Sequence, residues 1–366
     1  MKITIKRDIL LRPLAALSGV IDKRQSLPIL SHALLTMKDD RLILTGTDME
    51  VELQASVPVL TQAEWHPLTV SGRKLLDICR TLPEDSSITL DLYKNNLQIS
   101  SGDSVFSLNT LSAQDFPRIQ EEVYQTTFHL KQTDLKQLFS KTYFAMGQQD
   151  VRHYLNGALL DIKKNKIQCV AADGHRLALA ATEIEGEMPE VQVILPRKSV
   201  LELLRLLDNE EEESLHVSVN DQRIRFETKH FILTSKLIHA QYPDFERLIP
   251  KGNLSATLER ETVKHALART SILSNEKFRG VRFALNEKEL KISANNADQE
   301  HAEEIVPLHY TGDQTEIGFN ASYLMDVFST LSTKLVRFVF TDANSGVLLH
   351  AEDDLSALYV VMPMRL

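Results

Sequence analysis

The sequence predicts an α+β fold of three similar β-rich units, each with two amphipathic helices. Three observations carry this expectation. A helix is written into 196–207, where Val200, Leu203, Leu204 and Leu207 fall on one face and Lys198 and Arg205 on the opposite one, at about 100° per residue. The same pattern stands about 125 residues earlier (Leu75, Ile78, Cys79 and Leu82 against Arg73 and Arg80) and about 124 residues later (Leu324, Val327, Phe328 and Leu331, with Ser322 and Ser329 in place of the cations). Asp77, Glu202 and Asp326 hold one equivalent position in these three helices, and Ile5, Leu130 and Leu258 hold another in the strands that open each unit.

The first unit opens with a strand at 2–5 and a helix from Arg7 whose Leu10, Leu14 and Leu17 share a side. The second repeats this at 127–130 with Leu135, Leu138 and Phe139, the third at 256–258 with Val263, Leu267 and Ile272. Two alternating runs follow in each unit, separated by a short polar joint that reads as a hairpin turn. They are 29–37 and 41–45 around Lys38-Asp39-Asp40, 154–162 and 166–171 around Lys163-Lys164-Asn165, and 279–285 and 289–293 around Asn286-Glu287-Lys288. A turn ends each pair (Thr47-Asp48, Ala172-Asp173, Asn295-Asn296). One more strand is expected (51–57, 177–182, 301–306), then the repeated helix. Three strands close each unit before Phe116-Pro117, Tyr242-Pro243 and Met362-Pro363. The expected domains are 1–125, 126–252 and 253–366, with 120–125 and 251–253 as linkers and the acidic run 210–213 as a solvated loop.

A chain of 366 residues exceeds one ordinary core, and 43% hydrophobic with 25% charged residues marks a globular protein. No apolar run approaches the roughly 20 residues of a membrane helix, and the first residues alternate like a strand rather than a secretion signal. Cys79 and Cys169 fall on faces expected to be buried, which predicts free thiols and a cytoplasmic location. The net charge is −9, yet the six predicted helices (6–18, 71–82, 131–143, 196–207, 259–270 and 320–331) together carry +8 and the rest of the chain −17. Helices favour Glu as much as Lys or Arg, so this segregation points to a cationic surface made of helices and suited to phosphate.

Units that expose strand edges pair edge to edge, as an open filament or a closed ring, and closure leaves no free edge. Six units from two chains, each placing two helices inside, set twelve helices about 10 Å wide around a circumference of about 120 Å. The bore is then about 28 Å, wide enough for a DNA duplex. A cationic lining would attract the phosphates while the acidic exterior repels them.

Particular residues go further. The runs Gln149-Asp150-Val151-Arg152-His153-Tyr154-Leu155-Asn156-Gly157, Ala172-Asp173-Gly174-His175-Arg176-Leu177-Ala178, Ser274-Asn275-Glu276-Lys277-Phe278-Arg279-Gly280-Val281 and Tyr359-Val360-Val361-Met362-Pro363-Met364-Arg365-Leu366 resemble the bacterial DNA sliding clamps. Those proteins are the beta subunits of the DNA polymerase III holoenzyme, and the resemblance spans the whole chain. It implies the DNA clamp fold: a homodimeric ring, half from each chain, that slides on double-stranded DNA as a processivity factor. It implies as partners a clamp loader that opens the ring with ATP, the replicative polymerase catalytic subunit, and other clamp-binding replication and repair proteins. It implies no cofactor and no catalysis.

The resemblance also places sites. A partner-peptide cleft between the second and third domains, the latter ending in a partner-binding strand, would use Leu155, Ala172, Gly174, His175, Arg176, Leu177, Pro243, Arg247, Leu248, Phe278, Asn320, Tyr323, Asn344, Gly346, Val360, Val361, Met362, Pro363, Met364, Arg365 and Leu366. Aliphatic side chains and methionines re-pack around different partners, and Arg176 with the Leu366 carboxylate would sit at the rim. Val360, Val361 and Met362 read equally as a core strand. Ala172, Leu248, Asn344 and Gly346 depart from the family pattern. DNA contact is implied for Arg24, Arg73, Gln149, His153 and Tyr154, to which the helix pattern adds Arg80, Lys198 and Arg205; Tyr154 also reads as a buried strand residue. The dimer interface would set Phe106 and Leu108 against Ile272 and Leu273, with Lys74 facing the acids Asp298, Glu300, Glu303 and Glu304. Asn96, Asp103 and Val105 stand where the family places cations, which weakens the electrostatic half of that interface.

Two other classes compete. Asp173 and His175, flanked by Arg152 and His153, could form an acid–base or metal pair. No third ligand has suitable spacing, Asp48 and Asn296 hold the equivalent turns without a histidine, and a turn-capping Asp is the reading adopted. There is no P-loop, G-x-G-x-x-G or nucleophile elbow. An open scaffold that binds proteins without encircling DNA would not distinguish circular from linear DNA.

Overall fold

The computed structural model describes residues 2–21, 27–60, 65–120, 122–207 and 214–365, and only the backbone of Glu185. Arg24, the acidic run 210–213 and Leu366, all singled out above, lie outside the described residues.

One order of elements occurs three times. The first copy is β1 (Lys2–Lys6), α1 (Arg7–Leu17), β2 (His32–Lys38), β3 (Arg41–Thr47), β4 (Val51–Pro58), β5 (Leu68–Ser71), α2 (Gly72–Thr81), β6 (Ser87–Tyr93), β7 (Asn96–Ser101) and β8 (Ser104–Ser112). The second is β9 (Thr126–Lys131), α3 (Gln132–Thr142), β10 (Gly157–Ala172), β11 (Arg176–Pro196), α4 (Arg197–Leu206), β12 (Ser214–Val219), β13 (Arg223–Glu227) and β14 (Phe231–Lys236). The third is β15 (Leu254–Glu259), α5 (Arg260–Thr270), β16 (Gly280–Leu285), β17 (Glu289–Asn295), β18 (His301–Tyr310), β19 (Thr315–Asn320), α6 (Ala321–Thr330), β20 (Leu335–Phe340), β21 (Val347–Ala351) and β22 (Ala357–Val361).

The long β10 hides the expected hairpin. Gln168 Nε2 donates to Asp161 Oδ2 at 2.8 Å, whereas residues seven apart in a straight strand lie about 23 Å apart. The chain therefore reverses at 163–165, where Lys164 has φ 53°. The two arms of β10 pair with opposite ends of β11, 157–162 with 191–196 and 166–172 with 177–183. Counted by arms, the second copy has the same strands as the other two.

The helices lie within a residue or so of their expected spans, because a 3.6-residue apolar period is local information. Ser71 Oγ accepts from Lys74 N to start α2, and Asn320 Oδ1 accepts from Ser322 N at 2.9 Å to start α6. The dry face of α2 is rotated from the expected one: Leu76 is buried with Leu75 and Cys79, while Ile78 is half-exposed. Ile272 does not continue the α5 stripe; it lies past the helix end in a 3-10 turn (Ser271–Leu273) and is 74% exposed. One strand was expected between the hairpin and the second helix, and two are present, β4 and β5 or β18 and β19. β5 is four residues long, with its first three buried, too short for an alternation to announce it.

The chain forms two compact units, Met1–Thr133 with Leu201–Leu237, and Asp134–Val200 with Ile238–Leu366. The first holds a sheet in the order β1-β6-β7-β8-β5-β2-β3-β4-β14-β13-β12-β9, the second one in the order β10-β11-β22-β21-β20-β15-β18-β17-β16-β19. Each sheet contains one joint between consecutive copies. In the first, β14 pairs antiparallel with β4, Leu233 opposite Leu53 and Phe231 opposite Ala55. In the second, β22 pairs antiparallel with the start of β11, Val360 opposite Leu177 and Ala357 opposite Ala180. Leu233 and Leu53 are both fully buried, each such side chain contributing about 1.5–3 kcal/mol. In both joints the last strand of one copy closes on the strand that follows the capped turn of the copy before it.

Two further edges of these same kinds are left. On β8, 104–109 pairs with β7, and only 110–112 pairs with β5. On β18, 301–307 pairs with β17, and only 308–310 pairs with β15. Among the described residues, the other edge of each segment has no strand partner.

Candidate functional site

Three equivalent turns precede β4 and β11, the strands used at the joints, and β18. Asp48 Oδ1 accepts from Glu50 N and Val51 N at 2.9 and 2.7 Å. Asp173 Oδ1 accepts from His175 N and Arg176 N at 2.9 and 3.0 Å. Asn296 Oδ1 accepts from Asp298 N and Glu300 N at 3.1 and 3.0 Å. Asp173 is thus a turn cap, and among the described residues no cluster of three His, Cys, Asp or Glu side chains could hold a metal ion. What distinguishes the middle turn is what grows on it.

Arg176, expected at the rim of the cleft, is tied down, its side chain 12% exposed. Its Nε donates to Asp173 Oδ2 at 2.9 Å, its Nη1 is salt-bridged to Asp326, and its Nη2 donates to the Phe144 carbonyl at 2.6 Å. The guanidinium also lies over the rings of Phe144 and Tyr323, 5.3 and 4.5 Å from their centroids. His175 stacks on Tyr323 at 6.3 Å and 18°. Burial, then the carboxylate of Asp173, push the Tyr323 phenol above its ordinary value. Asp326 was recognised only as an equivalently placed acid, and Phe144 not at all, because each is distant in sequence from the arginine it holds.

The turn also receives the C-terminal segment. After β22 has paired with β11, Met362 N donates to the His175 carbonyl and Met364 N to the Gly318 carbonyl, each at 2.8 Å. Beneath lies a buried cluster that includes Leu155, Ala172, Leu177 and Val360 together with Phe245 and Leu348, which the sequence did not mark. Val361 is fully buried, so the strand serves the core as well. Gly174 has φ +89°, and a Cβ there would lie 2.6 Å from Arg152 Nη2. A Cβ on Gly346 would stand 3.1 Å from both Met362 Sδ and Val360 Cγ1. Asn320 is spent on capping α6, while Pro363 and Met364 are half-buried. Pro243, Arg247, Leu248, Phe278, Asn344, Met362 and Arg365 are exposed; Arg247 pairs with Asp244 at 2.7 Å, and Lys277 lies over the Phe278 ring. The result is an apolar, methionine-edged surface on a rigid turn, suited to holding a peptide.

The expected DNA-contact residues are less free than the helix pattern suggested. Arg73 and Arg80 flank Asp77 at 3.4 and 3.8 Å. Arg205 pairs with Glu202 at 2.7 Å and donates to the Ala15 carbonyl at 3.1 Å, which fastens α4 to the end of α1. The equivalent acids of the three helices thus each engage an arginine, and Arg205 is a staple rather than a bare cation. Lys198 is half-buried. Gln149 (φ 56°) and His153 are exposed on a loop braced internally. Arg152 donates twice to Asp150, Asp150 N donates to Asn156 Oδ1 at 2.8 Å, and Gly147 N to the Leu155 carbonyl at 2.8 Å. The Arg152 hydrogen bonds hold the Asp150 carboxyl down at about 2. Tyr154 lies in a 3-10 turn (His153–Asn156), not a strand, with its ring edge-on to Tyr242 at 6.0 Å. Burial raises the Tyr242 phenol.

Of the expected interface residues, Phe106 and Leu108 are half-buried on β8, Leu273 is half-buried and Lys74 exposed. Three of the four acids, Glu300, Glu303 and Glu304, already have partners within the chain. Arg269 forms a two-pronged salt bridge to Glu304, Lys291 pairs with Glu303 at 2.7 Å, and Asn296 Nδ2 donates to Glu300 at 2.6 Å. Those partners hold both the Glu303 and Glu304 carboxyls below their ordinary values.

Comparison with known proteins agrees with this architecture in three successive segments. Residues 1–120, 129–244 and 246–365 match the family models of the N-terminal, central and C-terminal domains of the DNA polymerase III beta subunit. The chain is 45% identical to the beta sliding clamp of Pseudomonas aeruginosa and 45% identical to that of Escherichia coli, over all of both chains in each case. The crystal structure of a DnaN sliding clamp from Pseudomonas aeruginosa bound to griselimycin is 45% identical and superposes with a TM-score of 0.95 over all of both chains. One from Bartonella birtlesii, also bound to griselimycin, is 34% identical with a TM-score of 0.95 and the same complete coverage.

Proposed function

The chain belongs to the DNA polymerase III beta subunit family, and from that premise we propose how it works as a non-catalytic processivity clamp: two copies close into a ring around double-stranded DNA, with domain limits at 1–125, 126–252 and 253–366. The observation that carries this reading is the pair of unfilled edges. The internal joints β4·β14 and β11·β22 obey one rule, and the free segments of β8 and β18 are the two halves of a third such joint. One chain cannot satisfy it alone if the edges face opposite ways around a ring, so the partner's copy supplies the other half.

Carrying the internal register over, with Asp48, Asp173 and Asn296 aligned, sets Leu108 opposite Glu300, Phe106 opposite Ala302 and Ser104 opposite Glu304 of the partner subunit. Phe106 and Leu108 then meet the exposed Ile272 and the half-buried Leu273, as the resemblance implied. Segment 104–109 carries no ionisable side chain, and Glu303 and Glu304 are matched by Lys291 and Arg269. The cations that seemed missing at Asn96, Asp103 and Val105 are not needed, and the joint is held by backbone pairing and apolar contact.

Encirclement asks only loose attraction of DNA, for which Arg73 and Arg80, both partly screened by Asp77, together with Gln149, His153 and Lys198, are suited. The replicative polymerase and other partners would insert a short apolar peptide against Leu155, Leu177, Val360 and Met362, with Tyr323 and His175 as an aromatic wall. A clamp loader would open the β8·β18 joint. The test is retention on nicked circular DNA after loading with a cognate clamp loader and ATP, before and after linearisation at moderate salt. Retention on the circle with loss from cut ends is expected; equal retention on both would refute encirclement.

A further inference from the structure

The two joints inside the chain are built alike but carry different side chains beside them. At the second, Lys141 of α3 reaches the loop between β21 and β22, its Nζ donating to Ser356 Oγ at 3.2 Å. Ser356 N and Oγ in turn donate to Asp354 at 2.7 and 2.9 Å. That loop reads Glu352-Asp353-Asp354-Leu355-Ser356, acidic with one leucine. At the first joint the residue equivalent to Lys141 is Ala16, and the equivalent loop is the shorter Thr228-Lys229-His230, which has no acid.

A cavity of about 670 Å³ opens there between α1, the end of β4, the last turn of α4 and the start of β14, within the range of sites that hold small ligands or peptide side chains. Ile9, Pro13 and Phe231 give it an apolar floor, Arg12, Arg41, Arg205 and His230 line it, and Asp8 is the one acid among the described residues that do. Asp8 is already salt-bridged to Arg7 at 2.6 Å. Arg205 and Arg41 are held rigid by Glu202 and by Ser56, whose Oγ lies 3.1 Å from Arg41 Nε. A fixed guanidinium loses little freedom on meeting a carboxylate.

We propose that this groove is a second docking site for partner proteins, taking an acidic segment with an aliphatic side chain, the chemistry complementary to its basic lining and apolar floor. Guanidinium groups receive the carboxylates, and the floor beside Ile9 and Phe231 receives the aliphatic group. A DNA phosphate backbone would satisfy the arginines and leave that floor uncovered.

The test uses fluorescence polarisation on the intact dimer with fluorescein-labelled Glu-Asp-Asp-Leu-Ser-Ala and its neutral analogue Gln-Asn-Asn-Leu-Ser-Ala. Saturable binding of the acidic peptide is expected, about tenfold or more weaker for the neutral one and for Arg12→Glu, with Ala16→Phe blocking the groove sterically. Sedimentation of each variant confirms that it remains a folded dimer, and Arg12 is exposed, so its replacement leaves the core intact. No saturation by about 1 mM, equal affinity for both peptides, or indifference to both substitutions would overturn the proposal. So would a DNA duplex, bound in an Arg12-dependent way, that excludes the peptide.

Discussion

Arg176→Ala removes a side chain on which the middle turn, α6 and the segment around Phe144 converge. The guanidinium is 12% exposed and its partner Asp173 16% exposed, so the substitution leaves a largely buried carboxylate without its counter-charge. The Phe144 carbonyl loses its donor as well. Breaking a buried pair by deleting one partner costs about 3–5 kcal/mol. Asp326 is 44% exposed and regains water, which puts the expected loss at the lower end, about 3 kcal/mol. For a compact unit of about two hundred residues, each kcal/mol lowers Tm by about 2–4 °C, so a shift of about 6–12 °C is expected. Calorimetry on the dimer reads this in the transition of the unit containing Arg176. Polarisation with a polymerase-derived cleft peptide should fall in parallel, because the turn that accepts Met362 N has lost its anchor. Arg176→Lys keeps the charge without the planar fork and should recover part of the loss. A shift below about 2 °C with unchanged peptide affinity would refute the view that this arginine organises the cleft.

Gly174→Ala forces a Cβ onto a backbone at φ +89° and against Arg152, and should cost about 1–2 kcal/mol by denaturant titration. Leu273→Ala should convert dimers to monomers on sedimentation, whereas dimerisation of the unmodified protein should change little with salt, since the acids of β18 are matched on their own face. Asp150, held at about 2 by Arg152, contributes stability that is present above the ordinary carboxylate range near pH 4 and lost as pH falls toward 2; carbon NMR should show its titration returning upward in Arg152→Ala. Burial pushes the Cys79 and Cys169 thiols up to about 12, so neither should react with a thiol reagent at pH 8 until the protein is denatured.

Local periodicity was enough to place the helices, the hairpins and the capped turns, since each depends on residues within about one or two helical turns of one another. The spacing of these features also revealed three copies of one plan. It could not reveal β5, too short to alternate, nor which face of α2 is dry, because that is settled by what α2 packs against. In the candidate site, the residues carried by contiguous motifs were legible, among them Leu155, Leu177 and the Tyr359–Met362 stretch. Phe245 and Leu348 were not, because they join the cluster from a 3-10 turn and from β21, both far in sequence from those motifs.

The sequence by itself determined that this is a repeated, β-rich chain with two helices per repeat and an unequal distribution of charge between helices and the rest. Only the tertiary structure decided what those charges do. Asp77, Glu202 and Asp326 share a position in sequence, yet the first pairs within its helix, the second belongs to an arginine that also fastens α4 to α1, and the third crosses 150 residues to Arg176. Likewise, unsatisfied edges on β8 and β18 exist only once every other strand has found its neighbour. A hydrogen-bonding edge or an ion pair is a relation between groups, and folding alone brings distant groups into range.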